Sequence, residues 1–140
     1  MGKLTLAGLE GLATRFHDEA ACDAVLATLP AAGAADVDRE RLRVLLRALV
    51  QAEQRLLQAE LEVGQVADIL RRDQKFSPPG RPSINIVQLR KQQAVTRQAA
   101  LVARQGLAQA AQTFVQATGL VLRVKQTPSE AATIWLQKLG

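Results

Sequence analysis

Apolar residues recur along most of this chain at steps of three and four, the period of one face of an α-helix. Two long stretches are especially regular. In the first, Leu42, Leu49, Leu56, Val63 and Leu70 stand seven apart, with Leu45, Ala52, Ala59 and Val66 at the companion positions. This is a coiled-coil-like seam of period 3.5, and it predicts a helix over 38–73 with Asp36 or Asp38 as its cap. A second stripe, Leu46, Val50, Leu57 and Leu61, lies on another face, so this helix is expected to have more than one neighbour. In the second stretch, Val87, Ala94, Leu101, Ala108 and Val115 repeat the same spacing. Beside them runs a neighbouring stripe of Ile86, Leu89, Ala100, Ala103, Leu107, Ala110, Phe114 and Ala117. A helix over 84–118 follows, opening after Pro82 with Ser83 as cap. Gly106 falls inside it, where glycine costs up to about 1 kcal/mol relative to alanine, and a close backbone contact is the expected compensation.

The flanking segments are shorter. Leu6, Leu9, Leu12, Ala13, Phe16, Ala20 and Ala24 predict one helix over 4–29, weakened at Gly8 and Gly11 and ended by Pro30. Residues 31–35 then read as a flexible connector, and Phe76 to Ser83 as a rigid Pro/Gly-rich turn. Leu120 to Lys125 alternates like a short strand that would need a partner, from Lys3–Leu6 or from another subunit. Thr127-Pro128-Ser129-Glu130 has the form of a capping box with proline at the first helical position. It predicts a C-terminal helix over 128–139.

These elements predict an all-α fold in a single domain, 1–140. A long antiparallel helical hairpin would form a small bundle with the N-terminal helix and the short C-terminal helix. Composition agrees: hydrophobic residues make up 48% but aromatics only 3%, so the apolar content is Ala, Leu and Val, suited to close helix packing.

Charge adds a constraint on pairing. Residues 1–73 hold 9 Lys/Arg and 12 Asp/Glu, whereas residues 74–140 hold 9 Lys/Arg and a single acid, Glu130. Folding the two long helices about the turn, with facing residue numbers that add to 157, matches their seven-residue series, Leu42 with Val115, Leu56 with Leu101 and Leu70 with Val87, although the neighbouring stripe with Leu107 and Phe114 could equally form the seam. The same register sets Glu53 opposite Arg104 and Glu60 opposite Arg97, with Asp68 one residue out of step with Arg90. Such pairs add little stability, about 0–1 kcal/mol each, but they favour one register over others.

Candidate chemistry is sparse. One histidine, His17, and one cysteine, Cys22, form no constellation with acid or hydroxyl partners, so no catalytic, metal or cofactor site is expected. Cys22 reads as a small buried side chain. With neither a signal-peptide pattern nor an apolar run of about 18 residues, the chain is expected to be cytoplasmic with no membrane span. At the turn, Phe76 and Arg81 are the residues a partner is expected to touch; Lys125 is a further basic candidate. Trp135 is expected to anchor the C-terminal helix, closing the bundle or forming an oligomer contact.

The Ala-, Gln- and Arg-rich run Gln92 to Leu101, then Ala103 to Ala110, then Thr113 to Leu120 with its Gly119–Leu120 step, resembles the helical hairpins of outer-membrane efflux channels and of their periplasmic adaptors. The resemblance spans residues 84–120. It implies a helical-barrel or tube-forming role and supplies no catalytic residue. The chain departs from that pattern in having no export signal, no transmembrane strand set and no second repeat. The expected function is that of a non-enzymatic, protein-binding helical subunit: an assembly, adaptor or structural component, as in a phage or secretion apparatus, forming a homo-oligomer or larger assembly. The alternatives are a nucleic-acid-binding protein using the basic 74–125 half and a small secretion-type chaperone.

Overall fold

The computed structural model describes residues 3–30, 36–76 and 84–139, without the side chains of 36–38 and 76. Among the described residues five helices follow in order: α1 (Leu6–Arg15), α2 (Glu19–Leu26), α3 (Asp36–Phe76), α4 (Ile84–Thr118) and α5 (Pro128–Leu139). The chain forms the all-α hairpin bundle expected of it. Helices α3 and α4 pack extensively on each other, α1 and α2 pack on α3, and α5 packs on α4. The expected caps at Asp36, Asp38 and Ser83, the connector 31–35 and the turn 77–83 lie outside the described residues and side chains.

Side-chain volume is unevenly distributed along this hairpin. At one end, Leu9, Leu12 and Phe16 of α1, Cys22, Val25 and Leu26 of α2, Leu42 to Val50 of α3, Leu107 to Phe114 of α4, and Ala132 and Leu136 of α5 form one core. This head contains the large, fully buried side chains Phe16, Phe114, Leu46, Leu49 and Leu136. Beyond it α3 and α4 continue as a two-helix shaft, where the buried residues are mostly small: Ala59, Val66, Thr96 and Ala100. Near the turn, Leu70, Ile86 and Leu89 form a separate small cluster. The second stripe of α3 follows the same division. Leu46 and Val50 are buried in the head, Leu57 packs at its edge, and Leu61 is exposed on the shaft.

The segment expected as one helix over 4–29 is two. Helix α1 starts at Thr5, whose Oγ1 accepts from Gly8 N at 3.0 Å, and stops at Phe16. Asp18 then caps α2, its carboxylate accepting from Ala20 N at 3.2 Å. An aspartate here competes with the helix backbone and favours a fresh start over continuation. The break lets Phe16, Cys22 and Leu26 converge on one core, which a straight helix could not do.

Two arginines one turn apart on α3 fix this corner. Arg43 forks onto Asp23 of α2 through Nε (2.9 Å) and Nη2 (2.7 Å), and its Nη1 reaches Glu40 at 3.0 Å and Glu19 at 3.6 Å. Arg47 Nε donates to the Phe16 carbonyl at 2.8 Å, and the Cys22 thiol donates to the same oxygen at 3.1 Å. The exposed end of α1 is thereby satisfied by side chains of both neighbouring elements. The Arg43 hydrogen bonds hold the Asp23 carboxyl below its ordinary range.

Helix α4 ends at Gly119, which takes φ +72° and donates to Val115 O at 2.9 Å, the left-handed stop that glycine adopts without a Cβ penalty. Leu120 to Lys125, expected as a strand, is none: it is irregular to Arg123 and turns at Val124–Lys125, where Gln126 N bonds Arg123 O at 3.0 Å and Lys125 sits at φ 64°. The proposed partner strand is consumed by the Thr5 cap and the start of α1. A strand without a second edge leaves its backbone groups unpaired, so the turn is preferred. At α5, the Thr127 hydroxyl accepts from Glu130 N at 3.2 Å, the capping-box bond.

Glycine at 106 has no packing role, against expectation. A Cβ built there meets nothing within 4 Å, whereas one at Gly119 would lie 3.2 Å from Pro30 Cβ. Gly106→Ala is therefore expected to stabilise the fold by up to about 1 kcal/mol, and Gly119→Ala to destabilise it by about 1–2 kcal/mol through the left-handed backbone alone; urea unfolding of the two variants distinguishes these opposite signs. Arg43→Met is expected to raise amide exchange selectively in α2. Because the Asp23 carboxyl is depressed, the stability this pair contributes is present above the ordinary carboxylate range and is lost as pH falls through the folded Asp23 value. Acid unfolding of Arg43→Met should therefore begin less steeply than that of the parent protein.

Candidate interaction surface

The face of α4 turned towards α3 decides which residues remain outside. The seam does not use the Val87, Ala94, Leu101, Ala108 series. Leu101 is 50% exposed and Val87 40%, and only Val115 of that series is buried. The column one position earlier faces inward instead: Ile86, Ala100, Leu107 and Phe114, flanked by Leu89 and Thr96. The reason is volume. Leu107 and Phe114 fill the head core, and Phe114 also meets Trp135 at 5.2 Å between ring centroids; no residue of the alternative column is as large in the head.

The charges adjust accordingly. Glu60 pairs with Arg104 at 3.7 Å rather than with Arg97, and both side chains are largely exposed, so this pair adds little stability. Glu53 does not face Arg104. It is 7% exposed and accepts a hydrogen bond from the Thr133 hydroxyl of α5. Asp68 pairs within α3, with Arg71, rather than with Arg90. Near the turn, Asn85 of α4 donates to Asp73 of α3, which sets these two residues at one height along the hairpin.

Of the other candidate residues, Trp135 is a half-buried packing residue against the head core, and its role there is to close α5 onto α4. Lys125 stands in the exposed α4–α5 turn. Phe76 is the last residue of α3 with its side chain undescribed, and Arg81 lies outside the described residues. Cys22 is fully buried and its thiol is pushed up by desolvation, with Arg47 opposing, so it remains protonated at neutral pH and unreactive. His17 is exposed in the α1–α2 turn. Among the described residues no group of three or more His, Cys, Asp or Glu could hold a metal ion, and no helix is long and apolar enough to cross a membrane.

The shaft carries the surface the sequence did not single out. Val95 (67% exposed) and Val102 (57%) project from α4, with Leu61 and Ile69 exposed on α3. An open groove runs along one flank between the two helices. Ala59, Ala99 and Ala103 line it with Val95 and Val102; Arg55, Glu62, Gln58 and Gln98 also border it, and Leu6 and Glu10 of α1 stand at its edge. Small residues make it shallow, and the polar border is uncharged except for Arg55, Glu62 and Glu10. The heptad registers contained the signal for this groove, since Val95 and Val102 are themselves seven apart; it was hidden by two stronger apolar columns on the same helix.

No protein-family model matches the chain, and neither a curated protein nor a solved structure shows significant similarity to it.

Burial is the largest influence on Glu53; it raises the carboxyl above its ordinary value, Glu60 adds to this, and the Thr133 hydrogen bond opposes it. A carboxyl raised on folding lowers stability as pH climbs from the unfolded value through the folded one. Glu53→Gln keeps an acceptor for Thr133 without the charge. It is expected to stabilise the protein by about 1 kcal/mol at pH 7, and the gain should vanish below about pH 4, where the unfolded carboxyl is protonated too; thermal unfolding across pH checks both limits.

Proposed function

We infer that this protein is a non-enzymatic helical interaction subunit, whose head is a folded anchor and whose shaft is the docking element. The observation that carries this reading is the bare two-helix shaft with Val95, Val102, Leu61 and Ile69 exposed. A two-helix segment seamed by alanine and threonine buries little apolar surface of its own, and exposed apolar side chains grouped on one element mark contact surfaces in soluble proteins. The head, by contrast, fully buries its largest aliphatic and phenyl side chains, Phe16, Phe114, Leu9, Leu46, Leu49 and Leu136. An assembly or adaptor role follows from this division: one end holds the fold, the other presents side chains to protein. Nucleic-acid binding by Arg90, Lys91 and Arg97, which are exposed on α4, is the competing reading.

The test is the pair Val95→Glu and Val102→Glu made together. Both positions are exposed, so the unfolding midpoint is expected to stay within about 1 kcal/mol of the parent value. Association with protein, whether self-association or binding of a partner identified by crosslinking at Lys91, is expected to weaken at least tenfold. Unchanged association would overturn the docking role of the shaft. Tight, salt-sensitive retention of DNA or RNA, lost on replacing Arg90 and Arg97 and unaffected by the valine changes, would replace it with the nucleic-acid reading.

A further inference from the structure

The groove flank has an internal symmetry that identifies an occupant. On α3, Ala48, Arg55, Glu62 and Ile69 stand seven apart in one outward column, and all four are exposed. Read from its two ends this column is self-complementary: a small residue answers a large one, and a positive charge answers a negative one. Its midpoint falls between Gln58 and Ala59. On α4 the exposed pair Val95 and Val102 has its midpoint between Gln98 and Ala99.

The two midpoints lie within about one residue's rise, 1.5 Å, of the same height. The Asn85–Asp73 hydrogen bond makes those residues level, and antiparallel helices of equal rise then keep level any two residues whose numbers add to about 158. Residues 58 and 59 of α3 thus stand level with 100 and 99 of α4, one residue from the α4 midpoint, and all four midpoint residues border the same groove. A two-fold axis crossing the helices at that height sends α3 onto α3 of a second copy, and α4 onto its α4, both antiparallel.

We propose that the groove is occupied by a second copy of this chain in such an antiparallel, two-fold arrangement. It rests on the reading of the shaft as a docking element and names its partner. Arg55 of each copy then meets Glu62 of the other, Val95 meets Val102, and Ile69 meets Ala48. Each of these contacts occurs twice, as an isologous interface requires. Because the axis crosses the shaft and not the head, each copy's head lies alongside the other's tip, so both bare shafts are covered at once. The contact runs from residue 48 to 69, roughly 33 Å at 1.5 Å per residue, and is about two helices broad. It buries on the order of 600 Å² per copy, somewhat below the usual size of a stable interface, so the dimer is a concentration-dependent one. The shaft then becomes a four-helix bundle, in which the small groove residues Ala59, Ala99 and Ala103 allow close approach.

Light scattering on the intact chain, a 15.1 kDa protomer, tests this at low salt over a range of concentrations. The expected result is a monomer–dimer equilibrium. Arg55→Glu puts glutamate opposite Glu62 in both symmetric contacts and is expected to weaken the dimer at least tenfold. Adding Glu62→Arg to it restores opposite charges across the axis and should recover the affinity. Gln98→Cys, beside the axis, should oxidise to a covalent dimer, and Ala108→Cys, on another face of α4, should not. All four positions are exposed, and circular dichroism and the unfolding midpoint confirm that each variant folds. A parent chain that is monomeric throughout, or a double variant no better than Arg55→Glu, overturns the proposal. If the parent is monomeric yet binds another protein through Val95 and Val102, self-pairing falls while the docking role of the shaft stands; if it is monomeric and the valines affect nothing, both fall.

Discussion

Everything in this molecule depends on the antiparallel seam between α3 and α4, and on how unevenly that seam is filled. Two helices side by side expose more apolar surface than they bury unless their facing side chains are large or a third element covers them. In the head both conditions hold: Leu46, Leu49, Leu107 and Phe114 are large, and α1, α2 and α5 close over them. In the shaft neither does. The consequence is a gradient of local stability along one continuous hairpin, firm at the head, thin along Ala59, Val66, Thr96 and Ala100, and pinned again at Leu70, Ile86 and Leu89.

The head is held by more than apolar packing. Arg43 and Arg47 lie one turn apart on α3 and each takes one part of the α1–α2 corner, Arg43 the acids of α2 and Arg47 the carbonyl of Phe16. The Phe16 carbonyl also receives the Cys22 thiol. These contacts make direction as well as energy: an apolar helix can slide or rotate on its neighbour, whereas a forked guanidinium–carboxylate pair fixes both height and rotation. On the other side, α5 is fixed by Trp135 against Phe114 and by the Thr133–Glu53 hydrogen bond. A firm head of this kind gives the shaft a fixed base, which supports the proposal that the shaft is a docking element.

The basic half of the chain takes on a different meaning in this setting. The shared heptad register predicts charge pairs along the hairpin, yet across the two helices Arg104 meets Glu60, while Arg43, in the acidic half, makes the forked pair with an acid of another helix. Arginine on α4 therefore serves mainly as solvated surface over the shaft. A two-helix segment with exposed valines benefits from such charge, which opposes unspecific clustering while leaving one flank with few charges open. That flank, bordered by Gln58 and Gln98 and charged only at Glu10, Arg55 and Glu62, is where contact costs least in desolvation.

By itself the sequence determined that there are two long helices, that they are joined into a hairpin, and that a shorter helix caps each side. Heptads in Leu42 to Leu70, the Thr127 capping box and the Gly119 stop are local signals, and helical periodicity and caps need no tertiary information. It did not determine which column of α4 faces inward. Columns 86, 93, 100, 107, 114 and 87, 94, 101, 108, 115 have identical spacing, and turning the helix by one residue, about 100°, exchanges them without changing the period. Only packing decides, because Leu107, Phe114 and Trp135 must share one core. The same limit applied to the break at Asp18, where convergence of Phe16, Cys22 and Leu26 outweighed continued helical spacing, and to Leu120–Lys125, where alternation meant nothing without a second edge. The partner of Glu53 belonged to this class as well: Thr133 is 80 residues away, and no spacing rule connects residues brought together only by the closing of α5 on the hairpin.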